Sequence, residues 1–330
     1  MPVFTIPNSA SIHTLKSFLL SNKPFADGAS PARLVMHPKW AHMDPMALAM
    51  SAAWGGWCHR QRRDCEIAIE NTTGGHTNYA RRMGLFKLLN VQEKAVLEEH
   101  EEAGRFLPLS QVRTRSELSA VIADVSALLH LDKEPDGLAA VQYCVSELLR
   151  NVLEHSGSPE GAYICAQRYT NREPKRVSIA VADCGWGIAE HIGNSYPEAK
   201  RDNSLAIRLA MQPGITGAYK DAMYGATENA GAGLFITRAI AKATGGYFVL
   251  LSGDTAFRLL RARRSDKPMV YHDAFSDPRH DLWVTDSYWQ GTVAAVEIAT
   301  NKIPNFQAFF QWIRQQVPAK KTAAGKIKFT

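Results

Sequence analysis

The spacing of apolar residues alternates between strand-like and helical along the first third of the chain. Short strands are predicted at Arg33–Met36 and 66–70, with a helix from Pro45 to about Arg63 between them. After the Gly74-Gly75 turn, an amphipathic helix is predicted over 78–89. Alternating strands and helices are typical of an α/β fold.

The rest of the chain continues this alternation with longer helices. The clearest is a helix over 136–155, because its apolar residues recur at helical intervals and Ser156-Gly157 can end it. The segment 257–289 is long enough to predict an added hairpin. The other predicted elements are helices over 116–129 and 234–244, and strands over 105–109, 162–169, 177–183, 247–251 and 292–298.

Length and composition favour a globular protein of two domains. The chain has 330 residues, which exceeds the usual single-domain size, and 45% of them are hydrophobic. Acidic residues crowd the stretch 93–104, which suits a linker. We therefore expect a smaller α/β domain at 1–92, the linker at 93–104, a larger domain at 105–300 and a basic tail at 301–330.

Charge and cysteine content narrow the function class. The formal net charge is +6, and the clustered basic residues leave nucleic-acid binding open as an alternative. The five cysteines are odd in number and lack metal-type pairing, so we expect neither a disulfide framework nor a zinc ribbon. No leader-type N-terminus and no run of about 18 apolar residues occurs, so we expect a cytoplasmic protein without a membrane segment. The clustered basic residues are Arg258, Arg261, Arg263, Arg264, Lys320, Lys321, Lys326 and Lys328.

A carboxylate and an amide share one face of the predicted helix over 136–155. Glu147 and Asn151 are four residues apart, so their side chains project from that face about one turn apart. An amide oxygen suits Mg²⁺, which usually completes its coordination with water and substrate phosphates. The carboxylate could orient or deprotonate a nucleophile. Taken alone, the two residues also fit the solvated face of an amphipathic helix.

Two glycine-rich turns add a second kind of chemistry. The first, Asp183-Cys184-Gly185-Trp186-Gly187-Ile188, directly follows a predicted strand. A buried Asp183 could accept a hydrogen bond from an exocyclic amine such as that of adenine, and the glycines let a ligand approach the backbone. As a single pattern, this turn fits an ordinary β-turn equally well.

The second turn, Gly231-Ala232-Gly233-Leu234, leads straight into the predicted helix over 234–244. A helix N-terminus carries unpaired N–H groups and the positive end of the helix dipole, so it suits a phosphate group. No strand is predicted directly before these glycines. The βαβ fingerprint of dinucleotide-binding folds is therefore not met.

In this order, the three segments resemble the motif boxes of GHKL (Bergerat-fold, histidine-kinase-like) ATPases. The stretch 147–155 resembles the N box, Asp183-x-Gly185-x-Gly187 the first glycine box, and Gly231-x-Gly233-Leu234 the second, and the resemblance spans about 105–300. It implies an α/β sandwich in which a mixed sheet is covered by helices on one face.

The same resemblance implies roles for individual residues. Asn151 would hold Mg²⁺, Asp183 would read adenine, and Glu147 would be the general base. Thr292 would lie near the adenine, and 194–229 would form a mobile lid. The other residues implied to contact ATP are Gly185, Gly187, Ile188, Gly231, Gly233 and Leu234.

The residue at position 147 separates branches of this family. Glu147 resembles the ATPase and anti-sigma-factor serine kinase branches more than the sensor histidine kinases, which commonly have Asn there. No phosphoacceptor His beside Glu and Arg-Thr-Pro occurs, and His130 fits a packing or surface role. ATP hydrolysis and phosphoryl transfer to a protein hydroxyl both stay open.

Residues 31–90 resemble a STAS-type domain of anti-sigma-factor antagonists. The resemblance rests on a strand that leads into Met43-Asp44-Pro45-Met46-Ala47-Leu48, followed by a helix, a strand and the closing segment Arg82-Met83-Gly84-Leu85-Phe86. Phosphorylated members carry Ser or Thr just after the matching Asp, so Pro45 and Met46 argue against phosphate acceptance here. Such a degenerate domain would dock a protein partner or pack against the ATPase domain.

The leading hypothesis is a Mg-ATP-binding regulatory protein in which lid closure over the nucleotide switches interaction with a partner. The expected cofactors are ATP and Mg²⁺, and the expected partner is a protein bound through the N-terminal domain. A serine/threonine kinase of the anti-sigma-factor type, a protein that binds nucleotide without turnover, and a nucleic-acid-associated ATPase are the alternatives. A homodimer also stays open.

Overall fold

In the described part of the chain, a three-stranded and a five-stranded β-sheet are flanked by helices, and a two-stranded sheet is added to them, which confirms the mixed α/β class. The structure is a computed structural model that describes residues 2–20, 22–25, 32–39, 41–61, 67–71, 75–91, 106–171, 173–215, 231–261, 270–303 and 305–315. For residues 75 and 76 it describes the backbone alone. The predicted linker at 93–104, Arg263, Arg264 and the four tail lysines lie outside the described residues.

The N-terminal part contains a three-stranded parallel sheet. Its elements are β1 (Val3–Ile6), β2 (Ser9–Ala10), α1 (Leu15–Leu20), β3 (Arg33–Met36), β4 (His42–Met43), α2 (Pro45–Gln61), β5 (Ala68–Glu70), α3 (Gly75–Arg82) and α4 (Leu85–Leu88). The sheet order is β1-β3-β5, and β2 pairs with β4 separately. The sequence pattern did not predict β1, because four residues between Pro2 and Pro7 give too short an alternation.

Helix α2 begins at a buried aspartate. Asp44 Oδ1 accepts a hydrogen bond from the Ala47 backbone N at 3.1 Å, and Oδ2 accepts one from the Ile12 backbone N at 2.6 Å. Burial raises the pKa of Asp44 to about 6, although these backbone hydrogen bonds act against the rise. The Asp of the STAS-like motif therefore caps a helix and anchors it to the segment before α1.

The helix predicted over 78–89 is interrupted, so this prediction was wrong in its continuity. Gly84 adopts φ 83°, a left-handed conformation that ends the turn after α3 and starts α4. Apolar spacing continues through the break, since Met83, Leu85, Phe86 and Leu89 are all buried. Helical spacing alone did not reveal the change of direction at Gly84.

The C-terminal part contains a five-stranded sheet in the order β6-β7-β8-β10-β9. Its elements are β6 (Phe106–Val112), α5 (Arg115–Leu129), α6 (Pro135–His155), β7 (Ala162–Tyr169), β8 (Arg176–Ala182), α7 (Ile188–Gly193), α8 (Asn203–Ala210), α9 (Gly233–Ala243), β9 (Tyr247–Leu259), β10 (His280–Ala299) and α10 (Phe306–Gln315). Every described strand pair in it is antiparallel, so the expected mixed sheet was wrong. A pair of packed helices, rather than one crossover helix, separates β6 from β7, and such a connection permits antiparallel pairing.

Both faces of this sheet are covered, whereas helices were expected on one face. Helices α5, α6 and α9 share one hydrophobic core with residues such as Ile179 and Val181 of β8. The alternate residues Ala180 and Ala182 belong to a second core, which contains α2 and the N-terminal strands. The N-terminal part therefore packs directly on the sheet, through α2 against β7 and β8.

The closing strands are longer than predicted. β9 and β10 continue past the body of the sheet as the predicted hairpin, in which Arg258 pairs with Asp281 in register. The Arg258 and Arg261 side chains of the basic cluster form ion pairs with Asp281 and Glu297, at 2.6 and 2.8 Å. Within the predicted tail, α10 packs on α6 and α9. Among the helices that the structure describes, none is long and apolar enough to cross a membrane.

Candidate functional site

A cavity of about 270 Å³ opens between α6, the turn after β8, the start of α9 and the strands β9 and β10. Of the ten residues that the sequence pointed to, nine line it. They are Glu147, Asn151, Asp183, Gly187, Ile188, Gly231, Gly233, Leu234 and Thr292. Segments far apart in the sequence thus meet around one space, as expected if the three motifs form one site.

Asp183 is the most deeply buried acidic group of this cavity. Its Oδ1 accepts a hydrogen bond from the Gly185 backbone N at 2.7 Å. Its Oδ2 is buried and has no hydrogen-bond partner among the described residues. Burial raises the pKa of Asp183 to about 7, against the opposing effect of hydrogen bonds from the Gly185 and Thr292 backbones. One acceptor oxygen is therefore left for a ligand.

Strand β10 holds the Asp183 turn in place. The Asp183 backbone N donates to the Thr292 carbonyl at 2.9 Å. Gly291 has φ 91°, and a Cβ there would lie 2.6 Å from Asp183 Oδ1, so only glycine fits. Ser252 Oγ donates to the Gly291 carbonyl at 2.8 Å and accepts from the Ile188 backbone N at 2.9 Å. These contacts fix the turn from both of its ends.

Gly185 is the one predicted site residue that does not line the cavity. A Cβ at this position would lie 2.1 Å from the Ser156 carbonyl oxygen at the end of α6. The neighbouring Trp186 backbone N donates to the same carbonyl at 2.7 Å. Gly185 thus allows the turn to pack against the C-terminus of α6.

Glu147 of α6 lies against the start of α9. A Cβ on Gly233 would lie 2.2 Å from Glu147 Oε2, so this glycine makes room for the carboxylate. Arg150 Nη1 approaches Glu147 Oε1 at 3.3 Å. Burial raises the pKa of Glu147, and the charge of Arg150 opposes the rise. The cavity therefore places a carboxylate beside the N-terminus of a helix.

Asn151, four residues after Glu147 on α6, also lines the cavity. Its Nδ2 is buried and has no hydrogen-bond partner in the part of the chain that the structure describes. Because the carboxamide can turn about its terminal bond, either its oxygen or its nitrogen can face a ligand. Asn151 is thus a second polar group of the cavity that is left unsatisfied.

Gly231, which lies just before α9, is hydrogen-bonded to the segment that directly follows α8. Its carbonyl accepts a hydrogen bond from the Gly214 backbone N at 2.9 Å, and its φ is 75°. Ile215, which a Cβ on Gly231 would meet, also lines the cavity. Of the predicted lid at 194–229, residues 216–229 lie outside the described residues.

Two histidines that sequence reasoning did not single out also line the cavity. The rings of His155 and His191 stack with centroids 4.4 Å apart and planes 28° apart. Burial lowers the pKa of both rings, and it lowers the pKa of His191 to about 4 with a further contribution from His155. His155 ends the N-box-like stretch, but nothing in the sequence indicated that α7 brings His191 against it.

Among the described residues, no group of three His, Cys, Asp or Glu side chains could hold a metal ion. A Mg²⁺ ion at Asn151 would therefore need oxygens from a nucleotide and from water.

No protein-family model matches the chain, and comparisons with curated proteins and with solved structures find no match either.

Proposed function

We propose that this protein binds Mg-ATP in the cavity between α6 and α9, as a regulatory nucleotide-binding protein of the GHKL type. The observation that carries the proposal concerns Asp183, which lines the cavity and whose buried Oδ2 has no hydrogen-bond partner among the described residues. A buried acceptor without a partner costs free energy, on the order of 1–3 kcal/mol. A ligand with an exocyclic amine, such as adenine, would remove that cost.

The other end of the cavity suits phosphate groups. Helix α9 begins at Gly233, which lines the cavity, and its first backbone N–H groups lie at this end. ATP would supply the phosphoryl group, and Mg²⁺ would balance its negative charge. Asn151 would ligate the ion, and Glu147 would accept a proton from the attacking water or hydroxyl group.

Contacts of the Asp183 turn support a regulatory role. Cys184 Sγ donates to the Ala53 carbonyl of α2 at 3.3 Å, and Arg60 Nη2 approaches the Cys184 carbonyl at 3.4 Å. The turn therefore touches the N-terminal part on one side and the cavity on the other. A partner that binds the N-terminal part could sense the nucleotide through these contacts.

Calorimetric titration with Mg²⁺ and a non-hydrolysable ATP analogue tests the binding. We expect Asp183→Asn and Asn151→Ala each to weaken binding at least tenfold, because the first replaces the free acceptor oxygen with an NH2 donor and the second removes the amide. Asp124→Asn, the same chemical change on the exposed face of α5, should leave the affinity unchanged. If the wild-type protein does not bind at millimolar ligand, or Asp183→Asn binds as tightly as wild type, the proposal fails.

Phosphate release tests whether bound ATP is turned over. Glu147→Gln removes the proton acceptor but keeps the size of the side chain, so nucleotide should still bind while turnover stops. Wild-type protein that binds ATP without releasing phosphate would point to phosphoryl transfer to a partner, or to binding alone. Incubation with a protein that carries an acceptor Ser or Thr separates those two.

A further inference from the structure

Trp289 of β10 lies in an aromatic cluster at the interface between the large sheet and the N-terminal part. Its indole ring is buried and contacts Phe25 edge-on, with centroids 5.2 Å apart and planes 78° apart. Phe4 of β1 lies 6.3 Å away and stacks in turn on Trp54 of α2 at 5.5 Å. Two segments of the N-terminal part thus contact the Trp289 ring, and Trp54 of α2 packs on one of them.

The same ring also contacts the proposed base-recognition turn. Trp289 Nε1 donates a hydrogen bond to the Asp183 carbonyl oxygen at 3.1 Å. The next residue, Gln290, donates from Nε2 to the Gly185 carbonyl at 2.6 Å, and Gly291 packs against Asp183. Trp289 therefore touches both the N-terminal part and the backbone of Asp183.

Discrimination between purines by a carboxylate depends on a fixed position. An amine at C6 of a purine can donate to the free oxygen of Asp183, whereas a carbonyl at C6 faces it with a second acceptor. If the Asp183 backbone could shift, the carboxylate would move away from the unfavourable oxygen and the difference in affinity would shrink. A rigid anchor for the turn therefore contributes to base selectivity.

We infer that Trp289 is a positioning residue that holds Asp183 for selection of 6-amino over 6-oxo purine nucleotides, and that packing of the N-terminal part sets this selectivity. The inference rests on the proposed nucleotide-binding function. Trp289 itself does not line the cavity, so it acts through the Asp183 backbone. Loosening of the aromatic cluster should consequently alter the choice of base.

The test compares the affinities of Mg-ATP and Mg-ITP, as non-hydrolysable analogues, in Trp289→Phe and in a matched control. Trp54→Phe is the control, because Trp54 is buried in the same cluster and its Nε1 donates to the Pro24 carbonyl at 2.8 Å, away from the cavity. Each variant loses one indole hydrogen bond of a tryptophan that is buried in the core containing α2. We expect the ratio of ATP to ITP affinity to fall about three- to tenfold in Trp289→Phe only, as for loss of one buried hydrogen bond.

A second variant keeps the inference testable if Trp289→Phe folds poorly. Phe25→Leu removes the edge-on contact to Trp289 without touching the Asp183 turn, and Phe25 is only partly buried. The ratio should fall here too, by a smaller factor. An unchanged ratio in both variants, or an equal fall in Trp54→Phe, would overturn the inference and leave nucleotide binding standing. Wild-type protein that binds neither nucleotide would overturn the proposed function and this inference with it.

Discussion

Asp183 is poorly suited to the fold when it is ionised, and it is the residue on which the proposed nucleotide binding rests. Its carboxyl group is fully buried, one oxygen has no partner among the described residues, and its pKa is raised to about 7. Such a group destabilises the folded chain in its ionised form. Sites of this kind are expected where function, rather than stability, determines the residue.

The pH dependence of stability should reveal the burial of Asp183. Because its folded pKa of about 7 lies above the unfolded value of 3.8, the stability it contributes is present below pH 3.8 and is lost as pH rises to about 7. At about 1.4 kcal/mol per pKa unit, the loss amounts to a few kcal/mol. Asp183→Asn cannot ionise, so its free energy of unfolding should rise relative to wild type across this range.

Urea unfolding of both proteins without nucleotide, from pH 4 to 8, measures this effect. Other buried carboxyl groups, such as Asp44, cancel in the difference between the two proteins. A difference that stays constant over this range would show that Asp183 ionises in the folded protein as it does in solvent. The expectation that burial raises the pKa of Asp183 would then be wrong.

At the residue scale, the sequence predicted side chains within local motifs and missed those supplied by packing. Glu147 and Asn151 follow from helical spacing, and Asp183 from its place after a strand. Ser252 and Trp289 hold the Asp183 turn, but they lie on β9 and β10, far along the chain. Their contacts depend on which strand lies next to β8, and residue spacing does not specify strand order.

At the scale of elements, Gly84 separates two helices that apolar spacing had joined. Its left-handed φ of 83° is costly for any residue with a Cβ, whereas the space around its Cβ position is open apart from the Leu109 carbonyl at 3.7 Å. Conformational strain, rather than crowding, therefore decides what a substitution does here.

Gly84→Ala tests the break between α3 and α4, because an interrupted and a continuous helix predict stability changes of opposite sign. In a continuous helix, Ala would stabilise relative to Gly by about 1 kcal/mol. At the observed left-handed position, Ala should instead destabilise the protein by roughly 1–2 kcal/mol. Chemical denaturation of both proteins decides between these outcomes, and a stabilised Gly84→Ala protein would support the continuous helix.

The other helices and strands show which features of the fold the spacing of apolar residues predicts. The helices that became α5, α6 and α9 were predicted to within about two residues at their ends, because each contributes regularly spaced apolar residues to the same core. Strand positions were also predicted, but their antiparallel direction was not, since alternation is the same in either direction. Strands β9 and β10 proved longer than predicted because their outer parts include polar residues such as Asp254, Arg258 and Asp281, whereas the predicted strands covered only the apolar runs.

At the scale of the whole molecule, the two parts share a buried interface. The second face of the large sheet supplies Cys165, Ala180 and Val249 to the core that contains α2. Without the N-terminal part, this apolar face would be open to water. Sequence reasoning placed an acidic linker between two domains, and composition alone gives no sign that the parts bury each other.

The shared core predicts that the full chain unfolds as one cooperative unit. Thr114→Ala provides the probe in the C-terminal part, because Thr114 accepts a hydrogen bond from the Glu117 backbone N at 3.2 Å and caps α5. Its loss should cost about 1 kcal/mol. Gly84→Ala provides the probe in the N-terminal part. Each substitution should lower the free energy of global opening for α2 and α6 alike.

Native-state amide hydrogen exchange, read by mass spectrometry on peptides from α2 and α6, distinguishes one unit from two. In one unit, both helices lose the same protection in both variants, since the core that joins them cannot open on one side alone. If Thr114→Ala lowered the protection of α6 and left α2 unchanged, the two parts would be separate domains. An N-terminal part that opened independently could not hold the proposed nucleotide site in place. Coupling between the aromatic cluster around Trp289 and the Asp183 turn would then be confined to local contacts.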